Sequence, residues 1–361
     1  MQAPFWKDRR VLITGHTGFK GSWLSLWLQK KGARVVGYAL PPPTEPSLFV
    51  SAKVDEGMTS IIGDVRDSNA LRQCLTEHEP EIVIHMAAQA LVRPSYDDPI
   101  ETFSTNVMGT ANILESIRKS NTVKSAVMIT SDKCYENKEW MWGYRETDPM
   151  GGYDPYSSSK GCAELVSSAY IRSFFSPSHD KKTKAMVSTA RAGNVIGGGD
   201  WSKDRLVPDI VAAIFKGESV IIRSPHAIRP WQYVLEPLRG YLMLAEKLYH
   251  DGGEYTGAWN FGPDDQDARP VSWIVDTLTQ YWGEGANWDL DPNEHPHEAT
   301  YLKLDCTKAK QLLGWWPVVN LSTALNWIVQ WYRCLKNGDD MRQQTLDQIN
   351  RYEKLVAENV P

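Results

Sequence analysis

Tyr156 and Lys160 stand four positions apart in Asp154-Pro155-Tyr156-Ser157-Ser158-Ser159-Lys160, inside what reads as a helix start. Residues four apart on a helix share a face, so a phenol and an ammonium converge on one place. The cation favours phenolate and is expected to lower the tyrosine pKa from about 10 toward neutrality. A base of that kind takes a proton from a sugar hydroxyl. Upstream, Thr130-Ser131-Asp132-Lys133 adds a hydroxyl, a carboxylate and an amine at the end of an apolar run. The plainer alternatives are a half-buried aromatic beside a solvated lysine, and a loop with solvated charges.

Elements elsewhere favour chemistry. Arg10-Val11-Leu12-Ile13-Thr14 reads as a strand and runs into Gly15-His16-Thr17-Gly18-Phe19-Lys20-Gly21, after which apolar residues recur at helical spacing. Strand, glycine turn and helix make a dinucleotide cradle. Glycines allow a sharp turn and close approach to a pyrophosphate, and the helix N-terminus offers free N–H groups. Further segments fall at expected strand ends, where open α/β sheets bind ligands. Gly63-Asp64-Val65 offers a carboxylate to an adenine amino group or, equally well, a cap to the next helix. His85-Met86-Ala87-Ala88-Gln89 offers small residues to a cofactor, and Asn106 a polar group on the following helix.

The chain of 361 residues carries a net charge of −5 and no basic stripe, which argues against nucleic acid as a partner. No apolar run is long enough to span a membrane. Five scattered cysteines without C-x-x-C spacing suggest reduced thiols. No metal is expected; the cluster Glu294, His295, His297 and Glu298 reads as a Pro-rich surface loop. Strands are predicted near 10–14, 34–39, 59–63, 81–86, 125–130 and 185–191, and helices near 20–31, 68–77, 99–119 and 156–174. That alternation predicts an α/β fold, a Rossmann-type doubly wound parallel sheet. Residues 1–193 are read mainly as the dinucleotide-binding domain, with a returning strand near 258–262. Residues 194–335 are read mainly as a smaller substrate-binding lobe, with helices at 206–216, 271–282 and 322–335 between irregular segments. Residues 336–361 read as a polar helical tail.

The glycine turn, Ala87-Ala88, Ser131, the Tyr156/Lys160 pair and Arg191-Ala192-Gly193-Asn194-Val195 together resemble the extended short-chain dehydrogenases/reductases, over roughly residues 8–335. The likeness is strongest to the nucleotide-sugar 4,6-dehydratase branch, carried by TGHTGFKGSWL, TSDKCYENKEW, GGYDPYSSSKGCAEL, GNVIGGGDW and RPWQYV. That resemblance implies NAD, a nucleotide-sugar substrate, a cytoplasmic setting, and a homodimer or dimer of dimers. It implies C4 oxidation, loss of water across C5 and C6, and hydride return to C6. By position, Tyr156 is the base, Lys160 its tuner, Ser131 a hydrogen-bond partner and Asp132 the acid at O6. Lys133 stands where many relatives carry Glu; as the C5 base it must be neutral, which costs about 4.6 kcal/mol at pH 7 from an unperturbed lysine. Gly15, His16, Gly18, Phe19, Gly21, Asp64, Val65, Ala87, Ala88, Gln89 and Asn106, with Tyr156 and Lys160, are the implied cofactor contacts. Arg93, Arg191, Asn194, Arg205, Arg229 and Tyr301 are the implied substrate contacts.

Two more departures carry expectations. His16 and Lys20 stand where small or apolar residues are usual, and the ring at 16 is expected to crowd the pyrophosphate. The second strand ends in Gly37-Tyr38-Ala39-Leu40, without the acid that usually holds a ribose of NAD. Competing readings are an epimerase or decarboxylase on the same scaffold, a 4,6-dehydratase for another nucleotide-sugar, and a non-catalytic NAD sensor.

Overall fold

The computed structural model describes residues 3–176, 185–283, 285–291 and 302–359. Its centre is a parallel sheet built from β1 (Arg10–Thr14), β2 (Arg34–Ala39), β3 (Thr59–Ile62), β4 (Ile82–His85), β5 (Ser125–Ile129), β6 (Met186–Arg191) and a returning strand, Gly257–Asn260. The order across the sheet is returning strand, β6, β5, β4, β1, β2, β3. The chain reverses its direction of travel between β1 and β4, and a crevice opens there at the carboxyl ends.

Alternation within the strands feeds two cores. Val11 and Ile13 of β1, Ile82 and Ile84 of β4, and Val127 and Ile129 of β5 enter one. Leu12, Val83, Ala126 and Met128 enter the other. Each larger apolar side chain contributes about 1.5–3 kcal/mol on burial, so the strands are held in register from both faces.

The helix Leu235–Asp251 lies in a stretch that reads as irregular in sequence. Pro237 and Gly240 look like breakers. Pro237 falls in the first turn, where a missing N–H costs nothing. Gly240 lies against the Phe261 ring, 2.4 Å from where a Cβ would stand. Leu238, Tyr241, Leu242 and Ala245 carry this helix into the same core as β4, β5 and β6. A segment from the smaller lobe's stretch of sequence thus covers the dinucleotide-binding sheet.

Two other expectations change. The run 99–119 divides into a helix at Pro99–Phe103, a π-helical turn at Ser104–Met108 and a helix at Gly109–Lys119. The polar C-terminal segment is a docked helix, Met341–Asn359, with Ile349 and Tyr352 fully buried. Glu353 on it accepts from Trp27 Nε1 at 2.8 Å and Lys31 Nζ at 2.7 Å, and pairs with Lys30. Its polar residues are partners for the opposite end of the chain. The smaller lobe is built from short two-stranded pairs, such as Ile228–Pro230 with Ala268–Pro270, and the helices Leu206–Lys216, Val271–Trp282 and Leu321–Asn337. Among the described residues no helix is long and apolar enough to cross a membrane. The cluster around His295 and His297, and Tyr301, lie outside the described residues.

Candidate active site

At the end of β1, Gly15 takes a φ of +79°, and a Cβ there would stand 2.7 Å from the backbone nitrogen of Ala87. Gly21 packs its Cα against the same turn; its Cβ would stand 2.1 Å from the Gly15 carbonyl oxygen. Gly18 caps the helix Phe19–Lys30 without a side-chain hydrogen bond to the first turn. The first-turn N–H groups therefore lack a side-chain cap, an arrangement that suits an anion. The Thr14 hydroxyl accepts from the N–H groups of Met86 (3.1 Å) and Ala87 (3.2 Å), which directs its own proton to Nδ1 of His85 at 2.7 Å. Burial, then Lys160, lowers the His85 pKa to about 3, so this ring is neutral. The ends of β1 and β4 are thereby tied together beneath the glycine turn.

Two expected cofactor contacts are placed differently. The His16 ring packs over Gly37, edge-on to Phe49, with Nε2 2.7 Å from the Ser60 hydroxyl. Gly37 has no Cβ, and the ring occupies that space within the protein, so the expected crowding of the pyrophosphate gives way to internal packing. Asp64 is gripped by Arg66 through Nε (2.8 Å) and NH2 (2.5 Å) and so does not present a free carboxylate to adenine. Nor does it cap the next helix; Asp67 does. The Ala87 backbone lies against the Gly15 turn, Val65 is buried against Gly109, and Asn106, at the centre of the π-helical turn, holds the backbone of Gln89 from both sides. Asn106 also donates to Ser159, which donates to the Tyr156 carbonyl, at 2.8 and 2.7 Å.

Asp154 caps the helix Pro155–Phe174 by accepting from Ser157 N–H at 2.9 Å, with Pro155 pre-set for the first turn. That start fixes Tyr156 and Lys160 on one buried face. Ser131 donates to Asp132 Oδ1 at 3.0 Å. Asp132 is only 3 % exposed. Burial raises its carboxyl above the usual range, against the pull of Lys133, the Ser131 hydrogen bond and Arg229.

The tuning differs from the sequence expectation. Burial pushes Tyr156 up to about 12, and the groups opposing it are Ser131 and Arg205. Lys160 is lowered to about 8 by burial, against the carboxylate of Glu164, and its ammonium reaches the Ile129 carbonyl at 3.5 Å. The cation acting on the phenol is therefore Arg205. Lys20, a mere departure in the sequence, sits in this cluster; burial, Lys160 and Arg205 lower it to about 7 against Asp132 and Asp200. Lys133 is exposed to solvent.

Of the expected substrate contacts, Arg191 is placed elsewhere. It is buried and paired with Glu164 at 2.7 Å, and it donates to the Tyr135 hydroxyl at 2.6 Å. Glu164 also accepts from Thr130 (2.5 Å) and Thr189 (2.8 Å). This network braces the end of β5 just before Ser131. Glu164 continues the four-residue spacing of Tyr156 and Lys160, a signal present in the sequence but not used. Arg205 meets Asp200 at 3.1 Å, exposed Arg93 meets Asp204 at 3.0 Å, and Asn194 takes a φ of +49° where the chain enters the smaller lobe. A cavity next to the phenol corner has Asp132, Gly193, Gln232, Asp264 and Lys303 in its wall. Gln232, held to the carbonyls of Gly193 (3.0 Å) and Phe261 (2.9 Å), lies within RPWQYV, but that stretch drew attention to Arg229 and not to the amide.

A parallel sheet with a glycine cradle and a buried Tyr–Ser–Asp corner defines a short-chain dehydrogenase/reductase of the extended type. Residues 12–327 match the GDP-mannose 4,6 dehydratase family, and the chain belongs to that family. It is 56% identical to a CDP-glucose 4,6-dehydratase of Salmonella typhimurium, across 96% of this chain and 97% of the relative. A dTDP-glucose 4,6-dehydratase of Xanthomonas campestris is 25% identical across 96% and 98%. Among solved structures, a dTDP-glucose 4,6-dehydratase from Streptomyces venezuelae with NAD bound shares the fold at a TM-score of 0.77 and 22% identity, covering 92% of this chain and 99% of that one.

Proposed function

We propose that this protein converts CDP-D-glucose to CDP-4-keto-6-deoxy-D-glucose and water. The observation that carries the reading is Asp132, a buried acid that accepts from the Ser131 hydroxyl at 3.0 Å. An epimerase acting at C4 needs no acid for O6, so this carboxyl favours elimination over epimerisation or decarboxylation. The CDP-glucose assignment is supported by the full-length relative at 56% identity.

NAD fits the cradle: Gly15, Gly18, Phe19 and Gly21 would hold its pyrophosphate, with Val65, Ala87, Ala88, Gln89 and Asn106 along the crevice. When bound, it supplies a hydride acceptor for C4 and a donor for C6. Tyr156 takes the O4 proton, and Arg205 biases the phenol toward phenolate. Asp132 gives a proton to O6 as water leaves, and Lys133 serves C5. Arg205 and Arg229 suit the diphosphate because guanidinium binds such oxygens two at a time. We also propose a cytoplasmic homodimer. Ser159, Gly161 and Ala163 are buried inside the subunit, whereas Ile100, Met108 and Leu165 on the adjacent helices are 76, 54 and 59 % exposed. Leu165→Arg is expected to leave a monomer in light scattering; an unchanged dimer would place the interface elsewhere.

Incubation with a panel of nucleotide-glucoses, assayed for a 4-keto-6-deoxy product, tests the activity. Turnover of CDP-glucose is expected. Preference for another nucleotide removes the cytidine assignment, and a C4 epimer as product removes the dehydratase reading.

A further inference from the structure

The first turn of the helix Pro155–Phe174 leaves backbone N–H groups without partners inside the helix. Pro155 has none to satisfy, and Asp154 takes that of Ser157 at 2.9 Å. The N–H of Tyr156 goes to a residue 61 positions upstream: it donates to Ser95 Oγ at 3.1 Å. Ser95 is 0 % exposed, and its own proton goes to the Val92 carbonyl at 2.6 Å. With that proton directed to Val92, the hydroxyl meets Tyr156 as an acceptor. Its short helix, Val92–Asp97, thereby holds the backbone of the base. On the other side of the residue, the Tyr156 carbonyl accepts from Ser159.

The same short helix meets the smaller lobe. Arg93 NH1 lies 3.0 Å from Asp204 Oδ1, and Arg223 NH1 joins the same oxygen at 3.6 Å. One residue on, Arg205 NH2 donates to the Ala90 carbonyl at 3.4 Å. The segment 200–205 therefore touches the segment 90–93 twice. It is also anchored to its own lobe. Tyr332 donates to the Asp200 carbonyl at 2.6 Å, and the Trp201 ring stands edge-on to Tyr332 and Phe215, with centroids 5.2 and 5.8 Å apart. A shift of the helices that carry Tyr332 and Phe215 thus reaches Asp204, then Arg93, then Ser95 and the backbone of the base.

We propose that Ser95 is a positioning residue for Tyr156, and that the helix Val92–Asp97 makes the base answer to the position of the smaller lobe, with the Arg93–Asp204 pair as the joint between them. Rates fall steeply when a reacting group is misplaced by about 1 Å, so a support on the base's own backbone bears on turnover. Arg205 belongs to the same loop as Asp204 and suits the substrate diphosphate. A nucleotide-sugar that draws on Arg205 therefore acts on the loop that holds the joint, and occupancy of the smaller lobe is linked to readiness of the base. The rate effects rest on the dehydratase reading; the backbone contacts do not.

Two variants test this, read by amide exchange in protein carrying isotope-labelled tyrosine and by turnover of CDP-glucose with NAD. Ser95→Ala leaves the Tyr156 N–H without its partner. Exchange at that amide should quicken at least about tenfold, and kcat should fall at least about tenfold with KM within about twofold of wild type. Ser95→Thr keeps the hydroxyl and should hold both near wild type. Asp204→Asn removes the charge and keeps a residue type that tolerates the φ of +62° at this position. It should quicken the same amide and lower kcat by about two- to fivefold, the scale of an exposed ion pair. In a Ser95→Ala background it should add nothing. Ser95→Ala with wild-type exchange and kcat overturns the positioning role. Asp204→Asn with wild-type exchange, with an effect on KM alone, or with an effect that multiplies that of Ser95→Ala overturns the coupling, and this exposed variant decides it even should the buried one not fold. Equal acceleration at the Tyr170 amide, later in the same helix, would be general loosening and overturns it too. Wild-type protein that leaves CDP-glucose unchanged overturns the activity reading instead, while exchange still decides the joint.

Discussion

The Asp132 carboxylate occupies the space that a side chain at residue 193 would need: Oδ2 lies 1.7 Å from where a Cβ on Gly193 would stand. The acid is thus seated by an absence on the neighbouring strand end. Gly193→Ala is expected to displace Asp132 from Ser131 and lower turnover at least about a hundredfold, the scale of losing a general acid. The fold should persist, because the collision is with one movable side chain. Circular dichroism with steady-state assay checks both; near-normal turnover would show that Asp132 functions from another position.

Removing the elimination groups should spare the first hydride transfer. Asp132→Asn with Lys133→Met keeps Tyr156 and Lys160. On mixing with CDP-glucose it should show a lasting rise in absorbance near 340 nm, the reduced-nicotinamide signal. Normal dehydration by this variant would move the role to Glu136 or Lys138, further along the same loop. No signal at all would assign the pair to binding or C4 chemistry.

Lys160 carries a stability cost that depends on pH. Its folded pKa, lowered to about 8 from 10.5, means that below pH 8 the native state holds a buried ammonium. Between the two pKa values the unfolded chain binds more protons, so native stability rises with pH there. Lys160→Met should therefore melt higher than wild type at pH 7, and the gap should close as pH rises past about 10. The same variant should lose turnover. Thermal melts of both proteins at pH 7 and 10 check this, and a gap that does not shrink would reject the buried-charge explanation.

His16 and Gly37 should behave as a coupled pair. A Cβ at Gly37 would stand 2.3 Å from the imidazole Cγ, so Gly37→Ala is expected to destabilise by about 1–3 kcal/mol through overpacking. In a His16→Gly background the same substitution has room and should cost much less. Urea unfolding of the four proteins gives the coupling energy; additive effects would mean that the ring moves freely.

The parallel sheet and the Tyr156–Lys160 face were legible because they rest on short-range signals: apolar runs of strand length, glycines in the first turn and a four-residue spacing. What was not legible depends on partners far away in the chain. Arg191 reads as an anion binder until Glu164 is seen beside it, and Asp64 reads as a ligand group until Arg66 closes on it. The Tyr156 shift was expected downward from Lys160, but burial raises it, and the groups that oppose burial are Ser131 and Arg205. Pro237 and Gly240 hid a helix because their tolerance comes from position in the first turn and from Phe261, neither of which a propensity reveals.

The helix Leu235–Asp251 and the clasp between Trp27 and Glu353 also bear on how the protein is made. A ribosome that has released the first 193 residues has supplied Tyr156, Ser131 and Asp132, but not the layer that covers β4 to β6. The nascent sheet would present Val127, Ile129 and Ile84 to water until the later helix emerges, and Trp27 would wait longer still, for residue 353. Maturation of the cofactor cradle is thereby tied to completion of the chain, and a truncated product should be captured by chaperones or degraded before it can bind NAD.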